Sequence, residues 1–139
     1  MQEIKKRRIV IASVLKPVND PRMFEKMALT LAPQYEVHIF GTKATAESQN
    51  DSIFFHPLLS FGRVSTNRLL APLKLLGKIL TLKPYLLVIC THELLWMVLL
   101  AKMFVRCRVI YDIRENYFRN ILFTDAFPPV LRVFIALYV

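Results

Sequence analysis

With 139 residues the chain is the size of one domain, long enough to bury a core without disulfides or a structural metal. Its 55% hydrophobic and 21% charged residues exclude a disordered chain, and 3 glycines with 8 prolines exclude collagen-like and low-complexity classes. A net charge of +9 on so apolar a chain points to an anionic partner, a missing partner surface, or both.

Arg8–Ser13 is a short β-branched apolar run, the pattern of a parallel strand covered on both faces. Leu15–Asn19 reads as a loop. Asp20 is suited to cap a helix and Pro21 to open it, and Phe24, Met27, Ala28 and Leu31 form one apolar stripe before Pro33 stops the helix. Tyr35–Phe40 alternates with period two and ends at Gly41, completing a strand–helix–strand unit. Thr42–Asp51 is polar and reads as a loop. Ser52–Leu58 predicts a short strand near a sheet edge because of Pro57. Ser65–Leu82 predicts a long helix, with Arg68, Lys74 and Lys78 between its leucines, ended by Pro84.

Leu86–Cys90 predicts a buried strand, and His92–Phe104 an almost wholly apolar helix buried on most of its surface. Arg108–Asp112 predicts the last clear strand. Asn116–Phe123 is open between helix and loop, and Val130–Val139 reads as the start of a helix. This alternation predicts an α/β fold: a Rossmann-like parallel sheet with helices on both faces, residues 1–139 forming a single domain. The last segment, PPVLRVFIALYV, is apolar and lacks a polar cap, so the chain is expected to be the front half of a larger protein. Its longest uncharged apolar run, Leu94–Ala101, is too short to span a membrane, and the basic start Lys5–Arg8 precedes too short an apolar run for a secretory signal. Cys90 and Cys107 lie in apolar runs with no metal-ligand spacing and are expected to be reduced, buried thiols of a cytoplasmic protein.

Ligands of open α/β sheets bind at the carboxyl ends of the strands. Four polar groups fall there: Lys16–Arg22, Gly41–Lys43, Thr91-His92-Glu93 and Ile113–Tyr117. The first loop has no glycine, which argues against a dinucleotide fingerprint, and no Walker A is present. His92-Glu93 begins like H-E-x-x-H, but Trp96 stands where the second histidine belongs, so no metal site is expected. For Asp20 and Arg22 the plain reading is a helix cap and a surface charge; the functional one is contact with a ligand. The run Asp112-Ile113-Arg114-Glu115-Asn116-Tyr117 reads either as a strand-end binding cluster or as a charged loop with an Arg–Glu pair. The basic residues Arg63, Arg68, Lys74, Lys78 and Lys83 carry no nucleic-acid-binding signature, so no nucleic-acid partner is expected. They suit a peripheral anionic membrane surface, or simply a solvated helix face.

The segment RIVIASVLKPVNDPRMFEKMALTLAPQYEVHIFG resembles the opening of family-4-type glycosyltransferases of the GT-B fold, through Asp20, Pro21, Arg22, Ala28, Glu36, Val37 and Gly41. LLVICTHELL resembles their strand ending in a His-acid pair, and RVIYDIRENY their "YD-x-H-E" strand end. The resemblance implies the N-terminal, acceptor-side domain of a two-domain enzyme. Such an enzyme moves a sugar from a nucleotide-sugar donor to a polysaccharide or lipid-linked acceptor, often at the inner membrane face and without a metal. The nucleotide-sugar would bind in a C-terminal donor domain that this chain lacks, so the chain alone should hold no cofactor and transfer no sugar. Asp20, Arg22, His92, Arg114 and Glu115 are the expected acceptor-binding residues, with Lys16 and Asn19 as lesser candidates; catalysis is not assigned. The family often has histidine where this chain has Arg114. Arginine stays protonated, so binding of an acceptor phosphate or carboxylate is the role it suits. The rival reading is a non-catalytic α/β module that docks on a protein or an anionic membrane through its apolar surface.

Overall fold

In the computed structural model, which describes residues 6–43, 50–57 and 67–114 with Pro128 and Val133, five strands form one all-parallel sheet. They are β1 (Arg7–Pro17), β2 (Tyr35–Thr42), β3 (Ile53–His56), β4 (Leu86–Ile89) and β5 (Arg108–Tyr111), in the order β3-β2-β1-β4-β5. The fold is therefore α/β and Rossmann-like, as the alternation of elements predicts. β3 lies at an edge, and Pro57 follows its last residue, where no further ladder bond is needed. The expected elements at 116–123 and 130–139, Val133 apart, and the candidate Glu115 lie outside the described residues.

β1 is central and apolar on both sides because both sides are covered. Val10, Ala12 and Val14 pack with Phe40, Leu87 and Ile89 under α2 (Asn67–Leu82) and α3 (Leu95–Phe104). Ile9 and Ile11 face the other way, with Val37, Ile39 and Val88, under the helix α1 (residues 22–31). Helices thus cover both faces. Pro72 lies buried inside α2, where its missing N–H removes one helix bond. Among the described residues no helix is long and apolar enough to cross a membrane.

Two elements differ from expectation. α1 is π-helical over Arg22–Ala28 and α-helical only over Leu29–Leu31. Lys26 N–H reaches back five residues to Pro21 O at 3.1 Å, which widens the turn. The buried positions become Met23, Ala28 and Ala32, while Phe24, Met27 and Leu31 are only partly buried beside them. α3 is not buried on most of its surface. It is preceded by a 3₁₀ turn (His92–Leu94), and it buries one stripe, Met97, Val98 and Ala101, against the sheet and α2. Leu99, Met103 and Phe104 are 70%, 76% and 71% exposed, because a single layer of helix on an open sheet has one inward side.

A polar chain crosses the α2 side of the sheet. Arg8 Nε donates to Glu36 Oε1 at 2.9 Å, and His38 Nε2 donates to the same oxygen at 2.8 Å. His38 Nδ1 and His56 Nε2, 2.9 Å apart, then share one proton. Burial, then the neighbouring His38 and Lys78, push the His56 pKa down from 6.5 to about 4. Burial works to raise the Glu36 pKa, but its bonds from His38 and Arg8 outweigh that and hold it below the ordinary value. Between pH 6.5 and about 4 the unfolded chain therefore binds a proton at position 56 that the folded chain does not. Stability is expected to be full above that window and to fall as pH drops through it. Urea midpoints across the window should show the fall in the parent and a flatter profile in His56→Gln; equal slopes would remove His56 as the cause.

Candidate functional site

The site is built where β1 and β5 end. β1 runs past the expected strand end at Ser13 as far as Pro17, with a register shift after Ala12, and Pro17 pairs with Thr42. Val18 N–H donates to Thr42 O at 3.2 Å, so the loop after β1 is pinned across the end of β2. Gly41 permits this. A Cβ there would stand 2.6 Å from Lys16 O and 3.0 Å from Val18 N. The loop then turns, Asp20 N–H donating to Pro17 O at 3.0 Å, and the Asp20 carboxylate accepts Met23 N–H at 3.2 Å as α1 begins. Asp112 follows β5 directly and its N–H donates to Ile89 O at 2.8 Å, fixing it beside the end of β4.

Two D-x-R runs meet here and exchange partners. Arg22 of Asp20-Pro21-Arg22 lays its guanidinium fork on Asp112, Nε to Oδ2 at 2.9 Å and Nη2 to Oδ1 at 2.5 Å. Arg114 of Asp112-Ile113-Arg114 returns the contact, Nη1 to Asp20 Oδ1 at 2.9 Å, and its Nε lies 3.5 Å from Asp112 Oδ2. Arg22 is on the outside, half exposed. The Arg114 and Asp20 side chains are 11% and 13% exposed, so Asp20 holds a buried ion pair as well as capping the helix, while Arg22 does lie at the surface. The partners of Arg114 seen here are Asp20 and Asp112. Among the described residues, its buried Nη2 has no hydrogen-bond acceptor.

The charges are set by this pairing. The Asp112 hydrogen bond, then its charge, raises the Arg22 pKa above the ordinary guanidinium value. Burial works against the Arg114 charge, but Cys90 and Asp20 more than offset it, and its pKa is also raised. Cys90 is buried beneath the pair, and burial pushes its thiol up despite Arg114. At neutral pH that thiol is protonated, so the anions that hold Arg114 in place are Asp20 and Asp112. Cys107, the other thiol, is only half-buried.

The remaining described candidates, His92, Lys16 and Asn19, lie along the same edge. His92 opens the 3₁₀ turn after β4 and is half-buried; Thr91, just before it, accepts Val14 N–H at 3.1 Å and ties that turn to β1. Lys16 is exposed and Asn19 half-buried in the loop after β1. Among the described residues no group of three or more His, Cys, Asp or Glu side chains is placed to hold a metal ion. Asp112 was not among the expected site residues, though it is the anchor of both arginines. The signal for it was present: the same D-x-R spacing at two strand ends. No family model, no curated protein and no solved structure matches the chain.

Proposed function

We propose that the chain is the acceptor-binding domain of a GT-B glycosyltransferase, contributing one wall of a cleft whose other wall is a donor domain that binds the nucleotide-sugar. The observation that carries this reading is the reciprocal Asp20–Arg114 and Arg22–Asp112 pairing at the carboxyl edge of the sheet. It makes a rigid polar floor with acceptors for sugar hydroxyls. Arg114 Nη2 is left as a buried donor for a phosphate or carboxylate on a polysaccharide or lipid-linked acceptor. Glu115, next in sequence, belongs to the same reading.

The test is transfer of sugar from a nucleotide-sugar to such an acceptor by the full-length enzyme. Arg22→Ala and Glu115→Ala are expected to lower turnover at least ~10-fold with the melting temperature within a few degrees. Loss of the outer pair should unfold little, because Arg22 is half exposed and Asp112 stays 3.5 Å from Arg114 Nε when Arg22 is gone. Unchanged turnover in both variants removes these residues from the site.

The second reading, a docking module, is favoured by the exposed side of α3, where Leu99, Met103 and Phe104 stand in water. It predicts that alanine at the strand ends is harmless and that Leu99→Glu abolishes function instead.

A further inference from the structure

The opposite edge of the sheet carries a second polar feature, unrelated to the strand-end site. A pocket of ≈ 390 Å³ opens where β1, β4 and β5 begin and where α2 ends. Lys6, Arg7, Arg8, Lys83 and Arg106 line it beside Tyr85, and among the described residues no carboxylate lines it. The chain has no Asp or Glu between Asp51 and Glu93, nor between Glu93 and Asp112, which is why α2, β4, α3 and β5 bring no acid to this edge.

Two of the cations are already engaged. Lys6 Nζ donates to Ala32 O at 3.1 Å and Ser52 Oγ at 2.9 Å, and Arg8 holds Glu36 and Leu82 O. Arg7, Lys83 and Arg106 have no ion-pair partner among the described residues. Their supports are built, however. Tyr85 is fixed by its N–H on Arg8 O at 2.8 Å and by Arg108 N–H on its own carbonyl at 3.0 Å. Its ring carries the Arg7 guanidinium at 4.7 Å and the Arg108 guanidinium at 5.2 Å, which restrains both without neutralising either. Lys83 is the one non-glycine residue with positive φ among those described, at 46°, and its N–H closes α2 on Ile79 O at 2.9 Å. A glycine would hold that backbone more cheaply. Lysine there keeps strain and adds a charge to a place already crowded with like charges, a combination that makes sense for a bound anion.

The geometry points to this pocket as a binding site for a phosphate-bearing anion, with Arg7, Lys83 and Arg106 as its ligands. A phosphate monoester or a diphosphate brings close to two or more negative charges and several acceptor oxygens, enough to engage three cations at once, where a carboxylate brings one charge. The pocket volume leaves room for the group that bears it. That group is either small and soluble or the headgroup of a lipid.

The experiment uses the full chain and two probes, inorganic pyrophosphate by calorimetry and phosphatidylcholine vesicles doped with phosphatidic acid by co-sedimentation. Arg106→Gln and Lys83→Gly are expected to weaken binding about tenfold each. Lys83→Gly should raise the melting temperature at the same time, since it relieves the backbone, so lost binding cannot be lost folding. The Lys26→Gln/Lys43→Gln chain, which loses two charges away from the pocket where each test variant loses one, should bind like the parent. Pyrophosphate binding with this pattern supports a soluble ligand, and vesicle binding with this pattern, pyrophosphate remaining silent, supports a headgroup. An equal loss in the control, equal binding of sulfate at matched ionic strength, or binding of a single-stranded oligonucleotide with both probes silent would each overturn the assignment.

Discussion

Arg114→Met is expected to destabilise the chain by about 3 kcal/mol, near the lower end of what breaking a buried ion pair costs. The substitution leaves the Asp20 and Asp112 carboxylates, 13% and 11% exposed, facing the place where the guanidinium stood. Asp112 keeps Arg22, but among the described residues Asp20 keeps only the Met23 N–H. The double variant Asp20→Leu/Arg114→Met should recover most of the loss, because an apolar pair of similar volume is tolerated where a single buried charge is not. Arg114→Lys should fall between, keeping the charge and losing the fork. Urea unfolding of the three variants and the parent measures this directly. A loss below about 0.5 kcal/mol in Arg114→Met, the range of surface substitutions, would show that the pair contributes nothing to folding.

Gly41→Ala is expected to cost about 3 kcal/mol, from overpacking and a weakened backbone bond together. The added methyl group would meet backbone on both sides: Lys16 O at 2.6 Å, Val18 N at 3.0 Å and Pro17 C at 3.2 Å. None of these is the end of a flexible side chain, so the loop after β1 must lift. Lifting breaks the Val18–Thr42 bond and moves Asp20 away from Arg114. The internal comparison is Gly77→Ala on the exposed side of α2, where an added Cβ meets nothing within 4 Å. That change should stabilise by about 1 kcal/mol, as alanine for glycine does inside a helix. Thermal melts of the two variants test the pair, and melting temperatures that move in the same direction would refute the close-approach account of Gly41.

The parallel sheet was legible because β1, β2 and β4 are buried on both faces and bounded by proline, glycine and polar loops. The helix faces were less so. A periodicity of 3.6 residues places Phe24, Met27, Ala28 and Leu31 together, but the π turns of α1 shift the buried set to Met23, Ala28 and Ala32. Nothing in the residue types announces a bond from Lys26 to Pro21 rather than to Arg22. The apolar composition of α3 predicts burial, yet composition does not say how many layers pack on a helix. At the site, the positions of Asp20, Arg22 and Arg114 at strand ends followed from the elements. Their partners did not, since pairing depends on β1 and β5 being two strands apart with β4 between them. The basic edge was hidden for the same reason: Arg7, Lys83 and Arg106 are far apart in the sequence and meet only through the sheet.

The two ion pairs of the site join residues 90 and 94 positions apart. When the chain is made from its N-terminus, β1, α1 and β2 can close over the short span from Arg8 to Glu36, 28 positions, while Asp112 and Arg114 do not yet exist. Asp20 and Arg22 wait in an unfinished sheet until both β4 and β5 have been added beside β1. The polar floor is thus a record of complete assembly: no fragment that stops short of β5 can contain it, however well the first strands and helix have formed.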